Sequence, residues 1–356
     1  MVEELPQFAP SGTGDHLHLR VQKRGLTTED VLRALARELD VPRREIGYAG
    51  LKDKHAVTVQ SFSLPFVSED AVRALAIPGI EVLSMARHHR KLRRAQAAGN
   101  RFRIRLHAPD GSDGADLLEP VLRPRLDELE PAVPNYFGVQ RFGARATNHL
   151  VGRALVADDP EDAARWIAGR PLGSERDPRA LAARTAFDAG DYEAAARAFP
   201  GYLGAERHLA RQLARRPGDF AHALGRLERR EREFYVGAFQ SYLFNRQVED
   251  QIQRGARDPF GQMPGWKTLD DPRLAPARDF VARCLPRGTD PVERMRALRL
   301  EGERRRLWLA VGIALECAPA TATLAFALPN GSFATAITRE LLRDDPPIMR
   351  LERDGE

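Results

Sequence analysis

Cysteine, lysine and long apolar runs are all scarce in this chain, and each shortage excludes something. The two cysteines, Cys284 and Cys317, lie far apart and in no Cys-x-x-Cys spacing. That argues against a disulfide framework and against a thiolate zinc site, so no metal is expected and both thiols are expected to be reduced. No apolar stretch approaches the roughly 18 residues that a membrane span needs, and the opening Met1-Val2-Glu3-Glu4-Leu5-Pro6 lacks the basic-then-apolar order of a signal peptide. A cytoplasmic protein away from membranes is expected. No motif for binding a nucleotide, flavin or metal is present, so no cofactor is implied. Lysine is the most informative shortage. Of 55 basic residues only Lys23, Lys52, Lys54, Lys91 and Lys267 are lysines, and the other 50 are arginines.

What is present describes a globular protein. At 356 residues and 43% hydrophobic content there is material for one large domain or two, with a packed core. The net charge of +5 and the pI near 9.4 point only weakly to a polyanionic partner. Distribution says more than the sum. Between Glu81 and Asp110 there is no acidic residue, yet Arg87, Arg90, Lys91, Arg93, Arg94, Arg101, Arg103 and Arg105 all fall there. Such a local positive field suits phosphates, although basic runs often serve only as solvated faces.

Two of the five lysines flank one carboxylate in Gly47-Tyr48-Ala49-Gly50-Leu51-Lys52-Asp53-Lys54-His55-Ala56-Val57-Thr58-Val59-Gln60. The runs Ile46 to Ala49 and Val57 to Leu64 suit strands, and the glycines suit a tight loop between them. Asp53 would then stand at the mouth of a sheet. By local chemistry alone the stretch reads equally well as a solvated turn, because Asp and Lys are common turn residues and a surface ion pair is worth little.

Around it, His16 to Val21 alternates with period two, as a strand with one exposed face does. Thr27 or Thr28 can cap a helix whose Val31, Leu32, Leu35 and Leu39 recur at helical spacing. Ser68-Glu69-Asp70 opens a short helix, and Ile80 to Leu83 reads as a strand. From Gly99 to Leu106 the alternation is strict, with Phe102, Ile104 and Leu106 on one side and three arginines on the other. After Asn148 the texture becomes helical and rich in alanine and arginine, with no fixed repeat. A long helix is predicted over Leu227 to Asp250, its aromatic stripe read as core. A loop-rich run is predicted from Pro259 to Pro286, then a strand from Thr321 to Leu328 and a helix from Ala336 to Leu342.

Four separated segments resemble, in order, the motifs of one family. Gly50 to Thr58 with Gln60 is similar to the signature of the TruD family of tRNA pseudouridine synthases. Arg87-His88-His89-Arg90-Lys91-Leu92-Arg93 followed by Gly99-Asn100-Arg101-Phe102 resembles its second motif, except that Ala95 stands where members usually carry glycine. Asn135-Tyr136-Phe137-Gly138-Val139-Gln140-Arg141-Phe142-Gly143 resembles its third, and Gly331-Ser332-Phe333-Ala334-Thr335 its C-terminal one.

The resemblance implies an α/β (α+β) fold, a pseudouridine synthase catalytic domain with a mixed, largely antiparallel sheet. A mostly helical inserted domain would interrupt it. The catalytic domain would be discontinuous, 1–133 and 305–356, around an insertion at 134–304. It implies Asp53 as catalyst, Phe102 as the platform on which the target base stacks, and Asn100 lining the site. Lys52, Lys54, Arg90, Lys91, Arg93, Asn135, Gln140 and Arg141 are the further candidates for substrate contact. It implies tRNA as partner, uridine-13 as the modified position, and a monomer without cofactor.

Two rivals explain parts of this. A non-catalytic RNA-binding or ribosome-associated protein accounts for the charge but not for the Gly-Leu-Lys-Asp-Lys motif. A phosphosugar enzyme accounts for an aspartate beside lysines but not for the acid-free stretch. Family members usually carry, before a segment matched here by Val2 to Pro6, an earlier one with a lysine that reaches the site. If the chain starts at Met1, a sheet with one strand fewer, an open edge beside it and a slower, less stable enzyme are expected.

Overall fold

The computed structural model describes residues 1–107, 115–129, 131–271, 275–318 and 321–343. The chain divides into two compact units, Met1–Val133 with Ala310–Ala334, and Pro134–Leu309 with Thr335 and the residues after it. In chain order the elements begin with β1 (Val2–Pro6), β2 (His16–Arg24), α1 (Thr28–Glu38), β3 (Gly47–Tyr48) and β4 (Val57–Pro65). Next come α2 (Glu69–Arg73), β5 (Ile80–His88), β6 (Ala97–His107), α3 (Ala115–Leu129) and β7 (Val133–Pro134). The helices α4 (Asn148–Val156), α5 (Pro160–Ala168), α6 (Pro178–Asp188), α7 (Tyr192–Ala198), α8 (Gly204–Arg215), α9 (Phe220–Gly225) and α10 (Arg229–Gln253) follow. The chain then runs through β8 (Phe260–Met263), α11 (Trp266–Leu269), α12 (Ala275–Arg283), α13 (Pro291–Ala297), β9 (Glu303–Arg306) and β10 (Trp308–Leu309). It ends with β11 (Ala314–Ala318), β12 (Thr321–Pro329) and α14 (Ala334–Leu342).

The first unit is built on one sheet in the order β11-β12-β6-β1-β4-β2-β5, with β3 paired to β4 off that path. Every pairing is antiparallel except β1 with β4, so the sheet is mixed and largely antiparallel, as the family resemblance implied. The first strand is hydrogen-bonded on both flanks, to β6 and to β4, so the open edge expected beside a missing strand is not found next to it. The extended run expected over Ile46 to Ala49 shrinks to two residues, because Gly47 pairs with Ser63 and Tyr48 with Phe62, leaving Ala49 free to start a loop.

Side chains of in-register neighbours share a sheet face. On one face, Leu17, Leu19 and Val21 of β2 with Phe62 and Leu64 of β4 pack against Val31, Leu32 and Leu35 of α1. Each such buried side chain contributes about 1.5–3 kcal/mol, so an 11-residue helix is held by packing more than by propensity. Its start is fixed by a capping box in which the Thr27 hydroxyl accepts from the Asp30 amide and the Asp30 carboxylate accepts from the Thr27 amide.

In the second unit, α5 to α9 close around Ala163, Ile167, Phe187, Phe199, Leu209 and Leu213. A further cluster joins Phe142, Phe239, Tyr242 and Leu243. The aromatic stripe of α10 is core from Ala238 to Asn245, as its period indicated, whereas Phe234 at its start is exposed. The loop-rich run expected from Pro259 to Pro286 instead holds β8, α11 and α12. The partner of β8 is β9, some forty residues later, and a short strand with a distant partner leaves no local period to read.

Candidate active site

The candidate loop, Ala49 to Ala56, lies over the middle of the face that α1 covers at one side. There the register Phe102–Val2–Thr58–Lys23 and the neighbouring Asn100–Glu4 pair place Phe102, Asn100, Glu4, Thr58, Gln60 and Lys23 on the same side of the sheet. Glu4, Lys23, Thr58 and Gln60 are buried, an uncommon set for a sheet interior, and Glu4, Lys23 and Gln60 hold the loop.

Four ties pin it. Gln60 Nε2 donates to the Gly50 carbonyl at 3.2 Å. The Lys52 amide donates to Thr28 Oγ1 at 2.9 Å, and that hydroxyl donates to Gln60 Oε1 at 3.0 Å. Lys52 Nζ meets Glu4 Oε2 at 3.0 Å, both side chains almost completely enclosed, while Glu4 Oε1 accepts from the Ser61 amide. Lys23 Nζ donates to the carbonyls of Leu26 and Asp53, at 2.7 and 2.8 Å. Burial lowers the Lys23 pKa from the usual lysine range, against which the nearby Asp53 charge raises it.

Asp53 is thereby held through its backbone while its carboxylate stays exposed, without a hydrogen bond or ion pair among the described residues. A carboxylate so presented is free to meet a substrate. Lys54 and His55 are exposed beside it. Of the flanking lysines, Lys52 is committed to Glu4, which places its ammonium in the scaffold.

Phe102 is half-buried and stacks on Phe326 of β12, ring centroids 5.5 Å apart. It stands two strands across from Thr58, about 10 Å at the usual strand spacing. Asn100, two residues before it and in register with Glu4, has a buried Oδ1 with no hydrogen-bond partner among the described residues, and Thr58 Oγ1 is in the same condition. Unmet acceptors of this kind are rare in folded interiors.

The basic stretch is less free than its composition suggested. Arg101 pairs with Glu3, Arg103 with Glu316, Arg87 donates to the Val67 carbonyl, and Lys91 donates to the Arg44 carbonyl. Arg94 donates to the Tyr48 hydroxyl and lies over its ring. Arg90, Arg93 and Arg105 are exposed, and their guanidinium groups make no such contact among the described residues.

Asn135, Gln140 and Arg141 belong to the second unit. Asn135 is buried, donating to the Arg306 carbonyl and accepting from Arg305. Arg141 donates to Ser241 Oγ and lies over the Phe234 ring, and burial lowers its pKa. Gln140 is exposed. Within that unit the motif is bound by Asn245 of α10, whose side chain pairs with both the amide and the carbonyl of Phe137. Asn135 and Arg141 are thus spent on internal packing.

Sequence reading singled out Asp53 and missed Glu4, Lys23 and Thr28. The scarcity of lysine was the available signal for Lys23, since three of the five lysines converge on this loop. Among the described residues no group of three His, Cys, Asp or Glu side chains is arranged to hold a metal, and no helix is long and apolar enough to cross a membrane.

The family model described as tRNA pseudouridine synthase D (TruD) matches residues 1–260. The chain belongs to that family. The "tRNA pseudouridine synthase D" of Geobacter sulfurreducens is 36% identical over an alignment covering 96% of this chain and 91% of the relative. The "Probable tRNA pseudouridine synthase D" of Methanopyrus kandleri is 35% identical, covering 95% and 87%. Among solved structures, the putative tRNA pseudouridine synthase D of Methanosarcina mazei superposes with a TM-score of 0.81 at 25% identity, covering 97% of this chain and 92% of that one. Membership places the chain among the pseudouridine synthases, with their fold.

Proposed function

We propose that this protein isomerises a uridine of tRNA to pseudouridine, that the uridine is position 13, and that Asp53 is the catalytic residue. The observation that carries the reading is the exposed, unpaired carboxylate of Asp53 on a loop pinned through Gly50, Lys52 and Asp53 itself. The reaction breaks the C1′–N1 bond, turns the uracil, and forms C1′–C5 while the C5 proton leaves and N1 gains one. An aspartate at C1′ acts either as nucleophile or as a base on the sugar, and a carboxylate serves both.

The target base must leave its stack, at a cost of a few kcal/mol, and needs an aromatic platform to receive it. Phe102 supplies that platform in this reading. The unmet Oδ1 of Asn100 is an acceptor beside it, and the N3–H of uracil is a donor without a partner once the base is unpaired. Lys54, Arg90, Lys91 and Arg93, with Lys52, are the first-unit groups assigned to phosphate contact or to support of Asp53. The free guanidiniums of Arg90 and Arg93 are the best placed for it. The catalytic domain is read as 1–133 with 305–356 and the inserted one as 134–304, although the residues from Thr335 onward group with the second unit, and the location is read as the cytoplasm where tRNA is found. No cofactor is required by this chemistry.

The test is to incubate the protein with unmodified tRNA and map pseudouridine by carbodiimide-stop sequencing, beside Asp53→Asn. The parent is expected to modify uridine-13 and the variant to bind tRNA equally while forming no product. Residual turnover within about tenfold of the parent removes Asp53 as catalyst, and tRNA binding without any product in the parent favours a non-catalytic RNA-binding protein.

A further inference from the structure

Several arginines on the helices of this chain are neutralised by an acid one turn away. Glu69 pairs with Arg73, Glu119 with Arg123, Glu161 with Arg165, Glu193 with Arg197, Arg229 with Glu233 and Asp250 with Arg254, all at i,i+4. Helix α8 departs from that habit. Arg207, Arg211 and Arg215 follow one another at i,i+4 on one face, and none of the three has a side-chain acceptor among the described residues. The one acid of this helix, Glu206, turns away towards the buried Arg184.

Like charges at this spacing destabilise a helix, and α8 is held against that repulsion by the packing of Leu209, Ala210 and Leu213. Opposite, Arg179 at the start of α6 is exposed and has no salt bridge among the described residues, and Arg197 of α7 brings its partner Glu193. Together these six residues line a groove of about 530 Å³ in the second unit. Successive rungs of the ladder are about 6 Å apart along the axis, the rise of four helical residues.

We propose that this groove is a second binding surface for the RNA substrate, which grips its phosphate backbone independently of the target base. The inference rests on the reading of tRNA as substrate. A ladder of three guanidiniums with a fourth across the groove suits an extended polyanion, and phosphate contacts add affinity and position without reading sequence.

The experiment replaces Arg207, Arg211 and Arg215 together by Gln, which keeps helix propensity, in the full chain. Affinity for unmodified tRNA is measured across salt concentrations, together with the single-turnover rate of pseudouridine formation at saturating protein. The variant is expected to lose up to about 0.9 in the log–log salt slope and about eightfold in affinity at 0.1 M salt for each phosphate contact removed, with the saturated rate unchanged. A folded variant with the parent's affinity and slope overturns the proposal, as does one that loses binding of polyglutamate but not of tRNA. If the parent makes no pseudouridine and the variant still loses tRNA affinity, the catalytic reading fails while the groove stands.

Discussion

Lys23 Nζ lies 2.8 Å from the backbone carbonyl of Asp53, so a buried cation on β2 holds the candidate catalyst without touching its carboxylate. A lysine suits this place because a compact ammonium satisfies two carbonyls, those of Leu26 and Asp53, where a planar guanidinium presents a fork of five donors. Lys23→Met keeps most of the bulk and removes the donors, at a cost of about 1–3 kcal/mol for the carbonyls left unpaired. The saturated single-turnover rate should fall by about a hundredfold, the penalty for displacing a reacting group by about 1 Å, while tRNA affinity stays near the parent's. Equal rates for parent and variant would show that the loop keeps its geometry without Lys23.

Phe102→Leu separates base stacking from packing. Phe102 stacks on Phe326 within the sheet, so the substitution loosens a real contact, worth roughly 1 kcal/mol when volume is nearly kept. Base stacking worth ~1–3 kcal/mol disappears at the same time. Activity per folded molecule should therefore drop about 5- to 100-fold with a small loss of melting temperature. A collapse of melting temperature with an unchanged rate would make Phe102 a core residue only.

Arg90 and Arg93 are exposed with free side chains, whereas Lys91 between them donates to the Arg44 carbonyl. The double variant Arg90→Gln, Arg93→Gln should lower the salt slope of tRNA binding by up to about 1.8, and Lys91→Gln should change stability more than slope. Unchanged slope in the double variant would mean a solvated face.

Much of the sheet was legible because alternation survives in β2 and β6, and the helix α1 because its cap and its apolar period agree. The site was legible only as far as Asp53. Its supports come from Glu4, Lys23, Thr28 and Gln60, four positions on three strands and one helix, and their convergence depends on pairings up to 57 residues apart that no local pattern records. The basic stretch misled for a related reason. Glu3 and Glu316, which neutralise Arg101 and Arg103, lie outside the acid-free segment and reach it only through the sheet.

Ala95 is the position at which family members usually carry glycine, and its φ of 67° supplies the physical reason. A side chain in the left-handed region is strained by roughly 1–2 kcal/mol, part of which glycine gives back through its greater freedom when unfolded. Its amide donates to the Ala49 carbonyl at 2.8 Å, so the conformation is imposed by the first residue of the candidate loop. Ala95→Gly should raise unfolding free energy by up to about 1 kcal/mol and leave turnover unchanged, as measured by urea denaturation and a tRNA assay. A loss of stability would show that the turn bears no strain.

The last prediction concerns pH and the second unit. His149 is buried between Phe142, edge-on at 5.4 Å, and Tyr242, stacked at 5.0 Å, and neither ring nitrogen has a hydrogen-bond partner among the described residues. Burial, with a smaller contribution from Arg153, pushes its pKa from the ordinary 6.5 down to about 4. Between those values the unfolded chain binds a proton that the folded one does not, so stability falls as pH drops through this window and the difference is complete below pH 4. The full effect is about 3 kcal/mol, and about 2 kcal/mol of it is reached at pH 5. His149→Phe keeps an aromatic ring between the same neighbours and removes the titration. Urea denaturation at pH 7.5 and pH 5 should show the parent losing about 2 kcal/mol more than the variant over that interval. If both lose the same amount, the imidazole is protonated equally in the folded and unfolded chains, and its place between the two rings does not exclude charge.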